Sequence, residues 1–478
     1  MKNIILIMSD TFRYDNLFDR AAAMPVRTPE LDRFAGERAT SIERFTMGSF
    51  PTIPQRTDLA TGRLGWPFYP WQPIERSSRN SIASLLQQQS YTTQLICDCP
   101  HLFRAHFNEH FEAAYHLRGQ EGDNFLTHLN DPIQPGVAKS KVRVDPWLYK
   151  EKYTLSELHR WINRYCRYEA ESFSHRTAST ATRWLEENSE ANPFFLWIDF
   201  FDPHEPWDPP EYLVRRYDPD YAGQPMIHPN YGPSSAYTAA ELKNLRAHYA
   251  AESELVDRAI GRVLQKIDDL QIWEESIVLF TSDHGTSIGE HGRCGKSNIH
   301  PEDMRNWPIY PEIGHVPFLL AGGDIPQGAS LDLMAQPIDI MPTLLELAGL
   351  ELEAPEPVQG RSFAAQVLNG DERFRDLAVS GGYVDPDENS FWGSMKIMPF
   401  VVNRQWGYAP VGSAGQTELY DLAVDPLAAC DCAATHPEAI QEMHTAFLAH
   451  LREHGATEDS CSKWPTPAPQ QTTTKGTP

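Results

Sequence analysis

The sequence predicts an α/β fold built on a largely parallel sheet, and three observations carry that expectation. Residues 4–8 ("IILIM"), 193–201 ("PFFLWIDFF") and 276–285 ("SIVLFTSDHG") are apolar runs of the kind found in strands buried on both faces. Helical stretches precede the latter two, and alternating strands and helices favour parallel pairing. Asp10, Asp199, Asp202 and Asp283 all fall at or just after the ends of these predicted strands. Sheets of this class bind ligands beyond the carboxyl ends of their strands, so the four acids point to one shared site.

The first apolar run is too short for a signal peptide and leads straight into Asp10. The next legible element lies in "PTIPQRTDLATGR", residues 51–63. Pro54 suits the first turn of a helix, where a missing N–H costs nothing, and Gly62 suits its C-terminal stop. Residues 55–61 are therefore expected to be helical. Thr52 would stand just ahead of the helix, where unpaired backbone donors favour a negative group. Arg56 would follow about one turn later on the same face. Taken alone, the stretch reads more readily as an ordinary Pro-flanked cap.

Residues 177–188 ("TASTATRWLEEN") form an amphipathic helix ahead of the second apolar run. A longer helix over 242–270 places Leu242, Leu245, Tyr249, Val256, Ile260, Val263 and Ile267 mostly at helical spacing. After residue 349 the texture changes to a Pro-containing loop, then short strands over 378–422, then a closing helix over 437–454. The sequence is thus divided into a main α/β domain (1–350), a smaller C-terminal subdomain (351–455) and a tail (456–478) expected to be disordered.

The chain has 478 residues, 41% hydrophobic and 22% charged, a balance expected of a globular protein. Its net charge of −24 argues against nonspecific binding to nucleic acid or anionic lipid. An anionic substrate would need a local cluster of cations to overcome that field. Seven cysteines do not describe a disulfide framework, and the Cys97/Cys99 and Cys430/Cys432 pairs lack zinc-site spacing. No stretch approaches the ~20 apolar residues of a membrane span. The expected compartment is the cytoplasm. A homo-oligomer is compatible with the sequence but not argued by it.

Several motifs carry chemistry. Asp283 and His284 in "FTSDHG" pair a carboxylate with an imidazole beside a glycine turn, a donor set that suits a divalent metal. His204 in the rigid "DPHEPWDPP" is a candidate general acid. Lys296 in "GRCGKS" invites a phosphate-loop reading, which fails because Glu290 stands where that loop needs glycine. "HFNEH" (106–110) matches an inverted zinc-protease pattern but has no evident third ligand.

Together these stretches resemble the sulfatase family of the alkaline phosphatase superfamily, from Asn3 to about Gly455. The resemblance rests on the opening strand with Asp10, "TIPQR" with "ATGR", "FFLWIDFFDPHEPWDPP", "SDHGTSIGEHGRCGK", "GHVPFLL", "DIMPTLLELAGL" and "ELYDLAVDP". It implies a large mixed, mostly parallel sheet sandwiched by helices, with a smaller C-terminal α+β subdomain. It further implies that Asp10, Thr52, Asp283 and His284 hold one divalent metal ion (Mn²⁺, Ca²⁺ or Zn²⁺). Thr52 matches the nucleophile position and Arg56 the arginine that supports it. Lys296 and His204 match groups that contact the transferred anion and the leaving oxygen. His101 lies near another cation position and is the substrate-binding candidate, although the usual Lys-x-His pattern is absent. Thr11 follows Asp10 where many family members have a second aspartate.

The main departure is at position 52. Sulfatases usually have Cys or Ser there and oxidise it to formylglycine; a threonine cannot give that aldehyde. Ser49 does not restore the motif, because it lacks the arginine four residues on. An unmodified threonine resembles instead the superfamily's threonine-based phosphodiesterases and phosphonate hydrolases. The expected substrate is a small anionic ester, and the expected reaction is cleavage of a phosphodiester or phosphonate monoester through a covalent intermediate on Thr52. A sulfatase using unmodified Thr52, and a catalytically silent binding homologue, are the alternatives. Residues 124–167, rich in aromatic and charged side chains, are the candidate leaving-group pocket.

Overall fold

A computed structural model describes residues 1–20, 25–76, 79–121, 123, 159–160, 162–164, 166, 168–191, 193–298, 303–351, 353–383, 393 and 395–464. Most of the candidate leaving-group segment, 124–158, lies outside the described residues, as does the tail from 465.

The strands of the two larger sheets are β1 (Asn3–Ser9), β2 (Ala39–Phe45), β3 (Ser49–Phe50), β4 (Thr92–Cys97), β5 (Ala113–His116), β6 (Phe194–Phe200), β7 (Ser276–Ser282), β8 (Phe318–Ala321) and β9 (Ala329–Ala335), followed by four C-terminal strands. Eight of them form the main sheet in the order β9-β2-β8-β7-β1-β6-β4-β5. β8 runs against both neighbours, and every other pairing in this sheet is parallel. The expected mixed, mostly parallel sheet is therefore present.

The three apolar runs of the sequence are its central strands β6, β1 and β7. Their lack of polar alternation follows from cover on both faces. Ile4, Leu6 and Met8 enter one core, with Ile53 and Leu59 of α1 (Thr52–Thr61). Ile5 and Ile7 enter the other, with Ala181 and Leu185 of α2 (Phe173–Asn188) and Val256, Ile260 and Val263 of α3 (Ala239–Asp269). Each fully buried Ile or Leu contributes roughly 1.5–3 kcal/mol relative to exposure, so β1 is anchored before any site residue is placed.

Helix α3 begins with a capping box, Thr238 accepting from the Glu241 amide at 3.3 Å. Helix α1 begins at Thr52, three residues ahead of the expected start at Gln55. Proline is tolerated throughout a first turn, so Pro54 does not mark the boundary that the sequence suggests. Gly62 does end the helix in a left-handed conformation, φ 64°.

The four C-terminal strands are β10 (Ala378–Gly382), β11 (Phe400–Val402), β12 (Trp406–Ala409) and β13 (Glu418–Asp421). They pair in the order β13-β12-β11-β10-β3, so the second sheet takes its edge strand from the segment just before Thr52. The β3–β10 pairing is parallel, Gly381 facing Ser49 and Gly382 facing Phe50. Helix α4 (Pro437–Glu453) packs Met443, Phe447 and Leu451 against this sheet. Residues 458–462 form a further helix, capped by Thr457, and Trp464 packs on Phe447. The disorder expected from 456 is corrected to that extent, because this stretch buries Cys461 and Trp464 against α4.

Candidate active site

The strand register assembles the site. Ser9 at the end of β1 pairs with Ser282 at the end of β7, so Asp10 and Asp283 leave the sheet side by side. On the other flank of β1, Met8 pairs with Asp199 of β6. Three carboxylates from distant parts of the chain thus converge where the parallel strands end, as the class of sheet predicts.

Arg56, fully buried, faces all three. Its Nε and Nη2 donate to Asp199 at 2.9 and 2.8 Å. Its Nη1 donates to Asp283 Oδ2 at 2.6 Å and stands 3.3 Å from Asp10 Oδ2. The same Nη1 donates to the backbone carbonyl of Thr52 at 3.1 Å. Thr52 is buried and is the first residue of α1. The approach to it is fixed by the helix itself: Asp58 accepts from Ser49 N and Gly65 N at 2.8 Å each, and Gln55 accepts from Gly48 N at 2.9 Å.

Thr11 ties the acids together from the other side. Its amide donates to Asp283 Oδ1 at 2.9 Å and its hydroxyl to Asp10 Oδ1 at 2.8 Å. Those bonds hold a β-branched residue at φ 63°, a left-handed conformation that costs roughly 1–2 kcal/mol. Lys296 Nζ donates in turn to Thr11 Oγ1 at 3.2 Å. Thr11 is therefore a neutral relay between a carboxylate and a lysine.

The donor set fits a divalent cation. One ligand atom from each of Asp10, Asp283 and His284 lies within 4.8 Å of the others. Asp10 Oδ2 and His284 Nε2 are buried without a hydrogen-bond partner. His284 donates Nδ1–H to the Gly285 carbonyl at 3.0 Å, which leaves the Nε2 lone pair facing the acids. Burial pushes this imidazole down to about 4, against the pull of Asp283, so it stays neutral as a ligand must. Burial and the Asp283 charge hold the Asp10 carboxyl well above the usual range. Burial also raises Asp283, but His284, Arg56 and donated hydrogen bonds outweigh it and hold that carboxyl down. The two acids share a charge that a cation would relieve.

His204 stacks on Phe201, ring centroids 4.1 Å apart, and donates Nδ1–H to the Glu205 carbonyl at 2.7 Å. Burial, then the charge of Lys296, lower its proton affinity well below the ordinary value. The resting imidazole is neutral, with its Nε2 lone pair as acceptor. His101 sits half-buried in the short helix Pro100–Arg104, edge-on to Phe201 at 5.8 Å and to Trp71 at 5.1 Å. Burial lowers it to about 4, with Glu121, Lys296 and Arg56 all close enough to act on it. The eight residues singled out in the sequence thus fall in one neighbourhood. Asp199 as the bidentate partner of Arg56, the Thr11 relay and Glu205 are additions. Asp199 has a signal in its place at a strand end, and Thr11 and Glu205 weaker ones in directly following Asp10 and His204.

The loop after His284 is pinned from below. Gly285 N donates to the Ile313 carbonyl at 2.8 Å, and a Cβ at Gly285 would lie 2.2 Å from the Glu312 carbonyl, so only glycine fits. Glu312 Oε1 accepts from Ser287 at 2.7 Å and from His291 at 2.9 Å; His291 also donates to the Ala428 carbonyl at 2.8 Å. Burial alone would lower His291, but the Glu312 carboxylate outweighs it and lifts the imidazole to about 9. Glu312, raised by burial, is more strongly held down by His291, to about 2. With a raised His and a depressed Glu, the pair is fully formed between the unfolded Glu and His values. Its stabilisation falls as pH rises from near 6.5 through about 9. It amounts to on the order of 3 kcal/mol. The thermal midpoint is expected to fall between pH 6.5 and 9.5, and His291→Gln is expected to flatten that slope. An unchanged slope in the variant would refute the assignment.

Comparison with known proteins converges on one group. A family model described as Sulfatase matches residues 2–350. An arylsulfatase of Clostridium perfringens is 24% identical over 469 residues, covering 89% of this chain and 88% of that protein. The multifunctional alkaline phosphatase superfamily protein PehA of Trinickia caryophylli is 25% identical over 484 residues, covering 89% and 90%. The crystal structure of the phosphonate monoester hydrolase of Agrobacterium radiobacter superposes with a TM-score of 0.70 at 21% identity, over 95% of this chain and 96% of that one.

Proposed function

The chain belongs to the sulfatase family, and on that premise we propose that this ester-bond hydrolase cleaves phosphodiester or phosphonate monoester bonds through a covalent intermediate on Thr52. The observation that carries the reading is Arg56 Nη1, a single nitrogen that touches the Thr52 carbonyl, Asp283 and Asp10. It ties the helix start that bears the hydroxyl to the acids that fit a cation.

Asp10, Asp283 and His284, completed by Thr52, would hold the divalent ion. When bound, the ion supplies positive charge that lowers the pKa of a nearby hydroxyl and offsets charge on ester oxygens. Thr52 enters as the alkoxide, its proton given up to solvent. Its Oγ1 bonds to phosphorus as the bond to the leaving oxygen breaks. Lys296 stabilises the negative charge on the equatorial oxygens, while Arg56, spent on Asp199, Asp283 and the Thr52 carbonyl, positions the helix start against the acids. His204 starts neutral and takes a proton at Nε2 once the anionic ester raises its proton affinity. It passes that proton to the leaving oxygen and then accepts one from the water that opens the phosphothreonine. Phosphorus–oxygen cleavage returns the Thr52 alkoxide. His101 lies within reach as a substrate-binding group.

Phosphorus is preferred to sulfur because a formylglycine hydrate expels sulfate by collapsing to the aldehyde, whereas a threonine ester has no such exit. Sulfate transfer to unmodified Thr52 is the second reading, supported by the arylsulfatases among the relatives. The intact set of Asp10, Arg56, Asp283, His284 and Lys296 weighs against a silent binding protein.

The test is high-resolution mass spectrometry of the residue-52 peptide after brief exposure, with Mn²⁺ present, to an aryl phosphodiester or an aryl sulfate. A gain of the phosphoryl group with its retained second ester substituent is expected. A sulfuryl gain alone would move the assignment to sulfate esters, and no gain from either ester during turnover would remove Thr52 as nucleophile.

A further inference from the structure

Among the described residues, a second group matches the donor set of Asp10, Asp283 and His284. Single ligand atoms of Glu121, Glu205 and His228 lie within 4.8 Å of one another, again two carboxylates and one imidazole. Lys296 reaches towards both groups. Its Nζ lies 3.2 Å from Thr11 Oγ1, which bonds Asp10, and 3.7 Å from Glu205 Oε2. Nothing in the catalytic reading above uses this second group.

His228 carries the argument. It is fully buried, and its Nδ1–H is donated to the Pro229 carbonyl at 2.7 Å. This repeats the device seen at His284, where Nδ1–H is donated to the carbonyl of the next residue. In both cases that bond turns Nε2 towards carboxylates. His228 Nε2 has no hydrogen-bond partner and lies 3.6 Å from Glu121 Oε2. Glu205 is equally buried. Its Oε1 accepts from the Tyr231 hydroxyl, while its Oε2 has no hydrogen-bond partner. Lone pairs facing one another out of water repel unless a proton or a cation stands between them. Lys296 Nζ stands 3.7 Å from Glu205 Oε2, beyond hydrogen-bond range.

We propose that Glu121, Glu205 and His228 form a second divalent-cation site, beside Lys296 and next to His204. Oxygen and imidazole donors in this ratio suit Mn²⁺ or Zn²⁺. The site adjoins the backbone that orients His204, whose Nδ1 is bonded to the Glu205 carbonyl. It therefore places positive charge on the side of the substrate where the leaving oxygen departs.

The experiment counts Mn²⁺ bound to the full chain by electron paramagnetic resonance of the free ion during titration. Two ions per chain are expected for the wild type. H228A and E205Q should each bind one, and D10N should also lose one while retaining the other. H228A is checked by circular dichroism; should it fail to fold, E205Q, which keeps the shape of the side chain, carries the test. A wild-type chain that saturates with a single ion lost in D10N would overturn the proposal, as would two ions retained in E205Q and folded H228A. Failure of Thr52 to become phosphorylated would leave these counts unchanged, so the proposal and the catalytic reading fail separately.

Discussion

Thr52→Ala is expected to lower kcat for an aryl phosphodiester by about 10⁴-fold or more, because it removes the atom that forms the covalent bond. The structure makes this a clean experiment. The Thr52 carbonyl, not its side chain, accepts from Arg56, so truncation leaves the packing of α1 and the Arg56 ion pairs in place. Asp10, Asp283 and His284 remain to hold a cation. The thermal midpoint is therefore expected to stay close to wild type while turnover collapses. Thr52→Ser, which keeps a hydroxyl, should retain measurable phosphodiester turnover. Steady-state rates and a melting curve on the same preparations decide the matter. Turnover of the alanine variant within tenfold of wild type would sink the nucleophile assignment.

The parts of the site legible in the sequence are those set by local chain properties. Asp10 and Asp283 were visible because an apolar run stops at each of them, and a buried parallel strand must stop where its backbone leaves the sheet. Gly62 was visible because a left-handed C-cap favours glycine. The start of α1 was not, because Pro54 is compatible with more than one position in a first turn. The role of Asp199 depends on β6 lying beside β1, and no spacing between residues 56 and 199 encodes that pairing. The same holds for β3, whose partner strand β10 lies in the C-terminal region. Glu121, Glu205 and His228 come from three separate loops. Their only common signal is that Glu205 directly follows His204 in a rigid Pro-rich stretch.

Arg56 is where stability and chemistry meet, and its removal has the largest expected effect on the fold. The guanidinium is fully buried and faces Asp10, Asp199 and Asp283. Deleting one partner of such a cluster leaves carboxylates uncompensated out of water, a loss of about 3–5 kcal/mol. Arg56→Ala is therefore expected to lower the thermal midpoint by several degrees and to abolish turnover. Arg56→Lys should recover only part of either, because an ammonium cannot bond Asp199 through two nitrogens while reaching Asp283 with a third. The loss should also depend on metal. A cation held by Asp10, Asp283 and His284 would neutralise two of the three acids that Arg56 leaves behind, and Asp199 would keep only its hydrogen bond from Trp197. Melting curves of wild type and Arg56→Ala, with and without saturating Mn²⁺, should thus show a smaller gap when the ion is present. A gap that Mn²⁺ does not narrow would mean that arginine and cation do not share their anions, and Asp10 and Asp283 could not then be the ligands.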